Sequence, residues 1–406
     1  MTYPRWKDYD GYESYQHLEP GDDYEEFDLV EGISPFEAAP VELSREEEDR
    51  LFELMNDRIT IAVHEHPINH PKDMTEVFDY IESRHLVTHY DGLSRTPLDA
   101  VFDALLHGVE MMETNEGFQW TDVISDLSMR LDDITRSDLL IQGRTVDDIR
   151  HAHETGRIAW FPALETLTPI GNVLDRLDML HGMGLRMAGL TYNETNQLAT
   201  GSNEVEDAGL TAFGRQAVER MNKLGMAIGL SHESEGTILD VCDASTDPVF
   251  LSHTAAEALW ETKRARPDEV FEAVAETGGI IALEGAHSTQ IEEEAGHTIE
   301  GMMRHFEYVV DLVGIESVSF ATDTLYGDDE AMMDVCAQAF SVAEVFTPEG
   351  AEEPGGTEKT HVVGNENPTE AWNNIPRWLI KHGYTDAEVA AVTGGNTLRV
   401  LEETFD

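Results

Sequence analysis

Five places in this 406-residue chain set a metal-ligand or acid–base side chain directly after a short apolar run. His64-Glu65-His66 follows Ile59-Thr60-Ile61-Ala62-Val63. Glu165 follows the run from Ala159 to Leu164. His232 follows Ala227 to Leu230 and Ser231, His253 follows Val249 to Leu251 and Ser252, and Asp323 follows Val318 to Ala321 and Thr322. In an extended segment, residues two apart point to the same side, so the imidazoles of His64 and His66 can reach one cation. Zinc accepts such nitrogen and oxygen donors well. A Glu can bridge two metals through its two oxygens, and two more His from separate strands can complete a second site. A bridging water would lose its proton near neutral pH, with a nearby carboxylate to accept it. His89-x-Asp91 is a rival pair with the same spacing, but it follows no clear apolar strand. Glu65, Glu194 and Asp207 read as solvated or supporting groups. His17, His70, His107, His151, His153, His181, His297, His305, His361 and His382 read as surface or loop residues.

Ligands on separate strands need a scaffold that gathers strand ends. Besides the runs above, Met187-Ala188-Gly189-Leu190 and Gly279-Ile280-Ile281-Ala282-Leu283 read as strands. Amphipathic helices are predicted between them over residues 173–183, 212–224, 267–277 and 299–313. Repeated strand–helix alternation implies an α/β fold with a parallel sheet covered by helices. No GxGxxG follows a strand and no GxxxxGK[ST] loop occurs, so a nucleotide-binding doubly wound sheet lacks its fingerprint. The expectation is a (β/α)8 TIM-type barrel, whose active site is built at the C-terminal strand edge. Residues 1–45 read as an irregular acidic N-terminal arm, broken at Gly21-Asp22-Asp23 and Ser34-Pro35. Residues 46–406 read as the barrel domain. It opens on a helix capped by Ser44, with Leu51, Leu54 and Met55 as its stripe, and closes with C-terminal helices. Residues 345–365 form a Gly/Pro/Glu-rich loop.

Lys and Arg number 26 against 81 Asp and Glu, a formal charge of −55. That balance argues against nucleic acid, which demands a basic face, and against an anionic membrane surface. Hydrophobic residues make up 41%, enough for a core. A surface this acidic repels itself unless salt screens it, so the composition is that of a halophilic protein. Two cysteines form no disulfide framework or CxxC motif. With no leader-like apolar segment and no transmembrane run, a cytoplasmic protein is expected.

The chain resembles the membrane (renal-type) dipeptidases, peptidase family M19, within the amidohydrolase-like metal-dependent barrels. The resemblance rests on ordered segments. These are Gly184-Leu185-Arg186-Met187, Leu190-Thr191-Tyr192-Asn193-Glu194-Thr195-Asn196, Asp207-Ala208-Gly209-Leu210-Thr211 and Leu230-Ser231-His232. Further on come Ser252-His253-Thr254-Ala255-Ala256, Ala321-Thr322-Asp323 and Gly394-Gly395-Asn396-Thr397-Leu398-Arg399. It implies two zinc ions, one held by His64, His66 and Glu165, the other by Glu165, His232 and His253. It also implies Asp323 as acid/base group near the bridging hydroxide, and Arg264 as the group that binds the substrate carboxylate. The resemblance further suggests a homodimer.

Three positions depart from the family pattern. His66 stands where HxD is usual, Tyr192 replaces a substrate-contacting His, and Gly229 replaces the Asp of Asp-Leu-Ser-His. The Tyr192 hydroxyl can still donate to an oxyanion. The Gly229 replacement removes one partner for the ligands. The expected activity is hydrolysis of dipeptides, small-molecule substrates. The alternatives are a lactone or N-acyl amino acid hydrolase on the same site, or a catalytically dead barrel retained for binding.

Overall fold

A computed structural model describes residues 3–105, 118–285, 297–339 and 362–405. Residues 345–361 of the Gly/Pro/Glu-rich loop, together with His107 and His361, lie outside the described residues.

Ten strands are described: β1 (Ile61–Asn69), β2 (Ala100–Ala104), β3 (Leu140–Gln142), β4 (Ile158–Leu164), β5 (Met187–Ala188), β6 (Ala227–Ile228), β7 (Phe250–Thr254), β8 (Ile280–Leu283), β9 (Val318–Phe320) and β10 (Leu325–Tyr326). All pairings between these strands are parallel. One sheet runs β10-β1-β2-β4-β5-β6, with β3 beside β4, and another runs β7-β8-β9. A parallel bridge from Gly229 to Phe250 joins them. After β9 the chain returns to lie against β1, with Leu325 opposite His66. The path β1, β2, β4 to β9 is the eight-strand round of a (β/α)8 barrel, with β10 at its seam.

Among the described residues, each connection from β4 to β9 carries one α-helix: Asp175–Met183, Ala212–Leu224, Glu235–Ala244, Asp268–Glu276 and Ile299–Val313. The starts of several are fixed by side-chain caps. Thr211, Ser234 and Thr298 accept from the backbone N–H of Gly214, Thr237 and Gly301. Gly184 and Gly225 end their helices in the left-handed region, where a Cβ would be strained, and turn the chain sharply into the next strand.

The barrel interior is filled by Ile61, Val63, Ala100, Phe102, Phe161, Ala227, Phe250, Ile280 and Ala282. Large rings alternate with alanines so that the layers interdigitate; Phe102 and Phe161 stack with centroids 4.8 Å apart. Val400 and Leu401 of the helix Asn396–Thr404 pack into this cluster.

A register shift in β1 decides the site. Ile61 and Val63 face the interior. Strict alternation would carry Glu65 inward and both His outward. The pairing with β2 slips between Ala62 and Glu65. Such an irregularity re-aims side chains, and here His64 and His66 turn to the centre while Glu65 turns out to meet Trp372.

Three strands escaped the sequence pattern: β2, β3 and β10. β2 carries Asp103, which looks wrong for a buried strand. It is accommodated because Arg130 Nη2, at 2.6 Å, and Trp160 Nε1, at 2.7 Å, both donate to its Oδ2. The arm, residues 3–44, holds no helix or named strand. It packs through polar anchors: Trp6 Nε1 donates to Asn373, Tyr3 OH to Glu370, and Tyr12 OH and Ser14 Oγ to Asp133.

Candidate metal centre

The five strand ends converge. Donor atoms of His64, His66 and Glu165 lie within 4.8 Å of one another, as do those of Glu165, His232 and His253, and those of His64, His253 and Asp323. His64 Nε2 is 3.3 Å from His66 Nε2 and 3.1 Å from Asp323 Oδ1. His66 Nε2 is 3.2 Å from the same oxygen. On the other side, His232 Nε2 is 2.8 Å from Glu165 Oε2 and 3.2 Å from His253 Nε2. The four imidazoles are buried.

The outer hydrogen bonds fix which nitrogen faces inward. His66 Nδ1 donates to the Ala104 carbonyl at 2.9 Å, and His232 Nδ1 donates to Asn193 Oδ1 at 2.9 Å. For His253 the proton position follows from a relay. Ser231 Oγ donates to the Leu230 carbonyl, so Ser252 Oγ donates to Ser231 and has only lone pairs left for His253 Nδ1 at 3.2 Å. In each neutral ring Nε2 is then bare and points at other lone pairs or a carboxylate. Gathered like this, the donors repel one another. A cation among them converts each repulsion into a bond, so the donor set fits a metal and its nitrogen–carboxylate chemistry suits zinc.

Electrostatics point the same way. Burial pushes the Glu165 carboxyl up, but the His232 hydrogen bond and the surrounding imidazoles outweigh it and hold it at about 2. Asp323 is likewise held well below the usual carboxylate range: burial opposes, His253 and His64 prevail. Burial and the Arg264 charge push His232 down to about 4, and burial with the His64 charge holds His253 well below the ordinary imidazole value. Ionised carboxylates beside neutral His232 and His253 match the protonation pattern ligation requires. His66 runs the other way: against burial, the Asp323 hydrogen bond and the Glu165 charge raise it to about 9, a proton that a bound cation would displace.

Tyr192 stacks on His232, with centroids 3.9 Å apart. Arg264 is buried, not splayed over surface acids. Its Nη1 donates to the Ser231 carbonyl, and its Nη2 stands 3.3 Å from Glu284 Oε2 and 3.9 Å from Asp323 Oδ2. Arg266, two residues on, is buried on the same Ser231 carbonyl. Glu284 rises to about 7, because burial outweighs the attraction of Arg264.

Other expectations fare differently. His89 and Asp91 stay outside the centre: His89 caps a short helix, accepting from Gly92 N, and Asp91 pairs with Arg5 and Arg95. His70, His297 and His305 are buried; His70 and His297 lie in loops, as the surface-or-loop reading allows, whereas His305 sits inside the helix Ile299–Val313. His305 Nδ1 accepts from Ala256 N, a use no periodicity reveals. Glu65 is fully buried rather than solvated, whereas Glu194 is exposed. Asp207 is a supporting group that accepts from Ser234 Oγ and Gly236 N.

Asn193 and Glu233 were missed. Glu233, fully buried, accepts from the backbone N–H of Leu190, Thr191, Ser231 and His232, and so ties the Tyr192 loop to the His232 loop. Its position right after the Ser231-His232 pair was the available signal.

Residues 48–336 match the membrane dipeptidase family, peptidase family M19. The chain belongs to that family. It is 27% identical over 290 residues to dipeptidase aclJ of Aspergillus oryzae, covering 69% of this chain and 61% of the relative. The chain thus spans about three fifths of that relative's length. Among solved structures it is similar to an amidohydrolase from Pseudomonas aeruginosa, with TM-score 0.67, 23% identity, and 87% and 99% of the two chains covered. It is also similar to a Rhodobacter sphaeroides metallopeptidase liganded with a phosphinate mimic of the dipeptide L-Ala-D-Ala. There the TM-score is 0.61 and the identity 18%, with 86% and 100% covered.

Proposed function

We propose that the protein is a binuclear zinc dipeptidase. The observation that carries this reading is the sharing of Glu165, whose carboxylate belongs to both the His64–His66 group and the His232–His253 group. Two divalent ions bound there would supply an acidified water and a Lewis acid for the substrate carbonyl. The chain's own residues do the rest. Asp323, kept ionised beside His64 and His66, accepts the proton of the attacking water and returns it to the leaving amine. The Tyr192 hydroxyl donates to the oxyanion, with its ring held flat on His232. Arg264 receives the carboxylate of a dipeptide-like substrate, in competition with Glu284. Family membership and the relative bound to a dipeptide mimic support the substrate class.

One observation favours a second reading, a lactone or N-acyl amino acid hydrolase. The Arg264 charge is already met by Glu284, which weakens the demand for a free substrate carboxylate. The deciding experiment compares a good dipeptide with its C-terminal amide on the zinc-loaded protein in high salt. Dipeptidase action gives strong preference for the acid, lost in Arg264→Met. Equal rates for acid and amide favour the second reading, and no hydrolysis of any dipeptide by fully metallated protein removes the first.

A further inference from the structure

Glu65 lies between two proposed ligands on β1, yet its carboxylate faces away from them and is fully buried. Its Oε1 accepts from Thr322 N at 3.0 Å, from Thr322 Oγ1 at 2.7 Å and from Trp372 Nε1 at 2.7 Å. Its Oε2 lies 3.5 Å from Thr324 Oγ1, and the two threonine hydroxyls are 2.9 Å apart. Among the described residues every hydrogen-bond partner of this carboxylate is a neutral donor. A buried acid is costly unless its hydrogen bonds are made, so one kept here with so many donors needs a reason.

The reason lies between the two threonines. Asp323 has φ 53°, in the left-handed region that non-glycine residues rarely adopt. Such a conformation persists only where its surroundings over-determine it. Thr322 and Thr324 flank Asp323: the Thr322 hydroxyl donates to the Glu65 carboxylate, and the Thr324 hydroxyl donates in turn to that of Thr322. Thr322 is pinned on its far side as well, since its carbonyl accepts from Gly285 N at 2.9 Å.

We infer that Glu65 is a positioning residue for Asp323. Through Thr322 and Thr324 it holds the left-handed turn that sets the Asp323 carboxylate 3.1–3.2 Å from His64 and His66. Trp372 ties this clamp to the helix Pro368–Lys381, so a helix outside the barrel sets the aim of a group at its mouth. The inference rests on the reading of Asp323 as the acid/base group.

The test uses full-length, zinc-loaded protein in high salt and four variants of the clamp. Thr322→Val and Trp372→Phe each remove one donor and leave the β1 sequence untouched. Each should lower kcat about 10-fold with KM and metal content unchanged. Glu65→Leu removes the acceptor and should cost about 10²-fold, the scale of a misplacement near 1 Å. Glu65→Gln keeps an acceptor oxygen and should recover most of that loss. Amide hydrogen exchange across residues 322–324 should quicken in Trp372→Phe and Glu65→Leu at unchanged metal content, a readout independent of turnover.

Normal kcat and unchanged exchange in Thr322→Val and Trp372→Phe overturn the inference, whether or not Glu65→Leu folds. So does metal loss that accounts for the whole fall in activity, because Glu65 would then support His64 and His66 instead. Asp323→Asn separates the two levels. Full turnover in that variant overturns the acid/base reading itself, whereas its inactivity beside normal clamp variants overturns the clamp alone.

Discussion

Asn193 Oδ1 lies 2.9 Å from His232 Nδ1, and this bond decides that His232 offers Nε2 to Glu165. His232 thus has a partner on its outer nitrogen. Ser202 Oγ donates to the same Asn193 oxygen at 3.1 Å, and Asn193 holds φ 58°, a conformation Asn tolerates better than most residues. Asn193→Gly keeps that backbone accessible and deletes only the amide. Zinc affinity should fall about 10–100-fold, the usual effect of losing such a partner. Competition against a chelator of known affinity measures it, and unchanged affinity rejects the role.

Glu165 should be the residue whose loss weakens both halves of the centre. Protein purified in high salt without chelator should carry close to two metals per chain. Glu165→Ala should weaken both sites, whereas His232→Ala or His253→Ala should lose about one, because each contributes to a single group that contains Glu165. Elemental analysis gives the counts. Active protein free of any transition metal defeats the proposal.

The formal charge of −55 predicts dependence on salt. At about 10 mM salt the Debye length is about 30 Å, and the surface acids repel one another across the molecule. Native circular dichroism and activity should be lost on dialysis into such a buffer and return when salt is restored. Full retention contradicts the halophilic reading.

Glu366 should make stability fall as pH rises. It is buried, with Oε1 lacking a hydrogen-bond partner among the described residues, and burial first, then Asp329 and Glu370, pushes its carboxyl up to about 9. The unfolded value is about 4.3, so between these limits the folded state binds the extra proton. Unfolding then releases it, and each step up in pH favours the unfolded chain. This contribution is absent below about pH 4 and complete above about pH 9. Thermal midpoints at fixed high salt should decline across that window, and Glu366→Gln should decline less. Parallel curves for the two proteins refute the assignment.

Much of the barrel was legible because its grammar is local. Apolar runs such as Ala159 to Leu164 and stripes such as Ala212–Leu224 follow from periods of 2 and 3.6. β2 was not legible, because Asp103 breaks the run and is tolerated only through Arg130 and Trp160, far along the chain.

The same division runs through the site. By itself the sequence determined which residue types end the strands, and that His64 and His66 share a side, since alternation is a property of any extended backbone. It could not say which side. That depended on the slip in pairing between Ala62 and Glu65, which exists only once β1 lies against β2. Nor could it show the hydrogen bonds that Asn193, Glu233 and Glu65 make, for these reach His232, Leu190 and Thr322, 39, 43 and 257 residues away. A hydrogen bond depends on distance in space, and only the folded arrangement of the strands brings such residues within about 3 Å of one another.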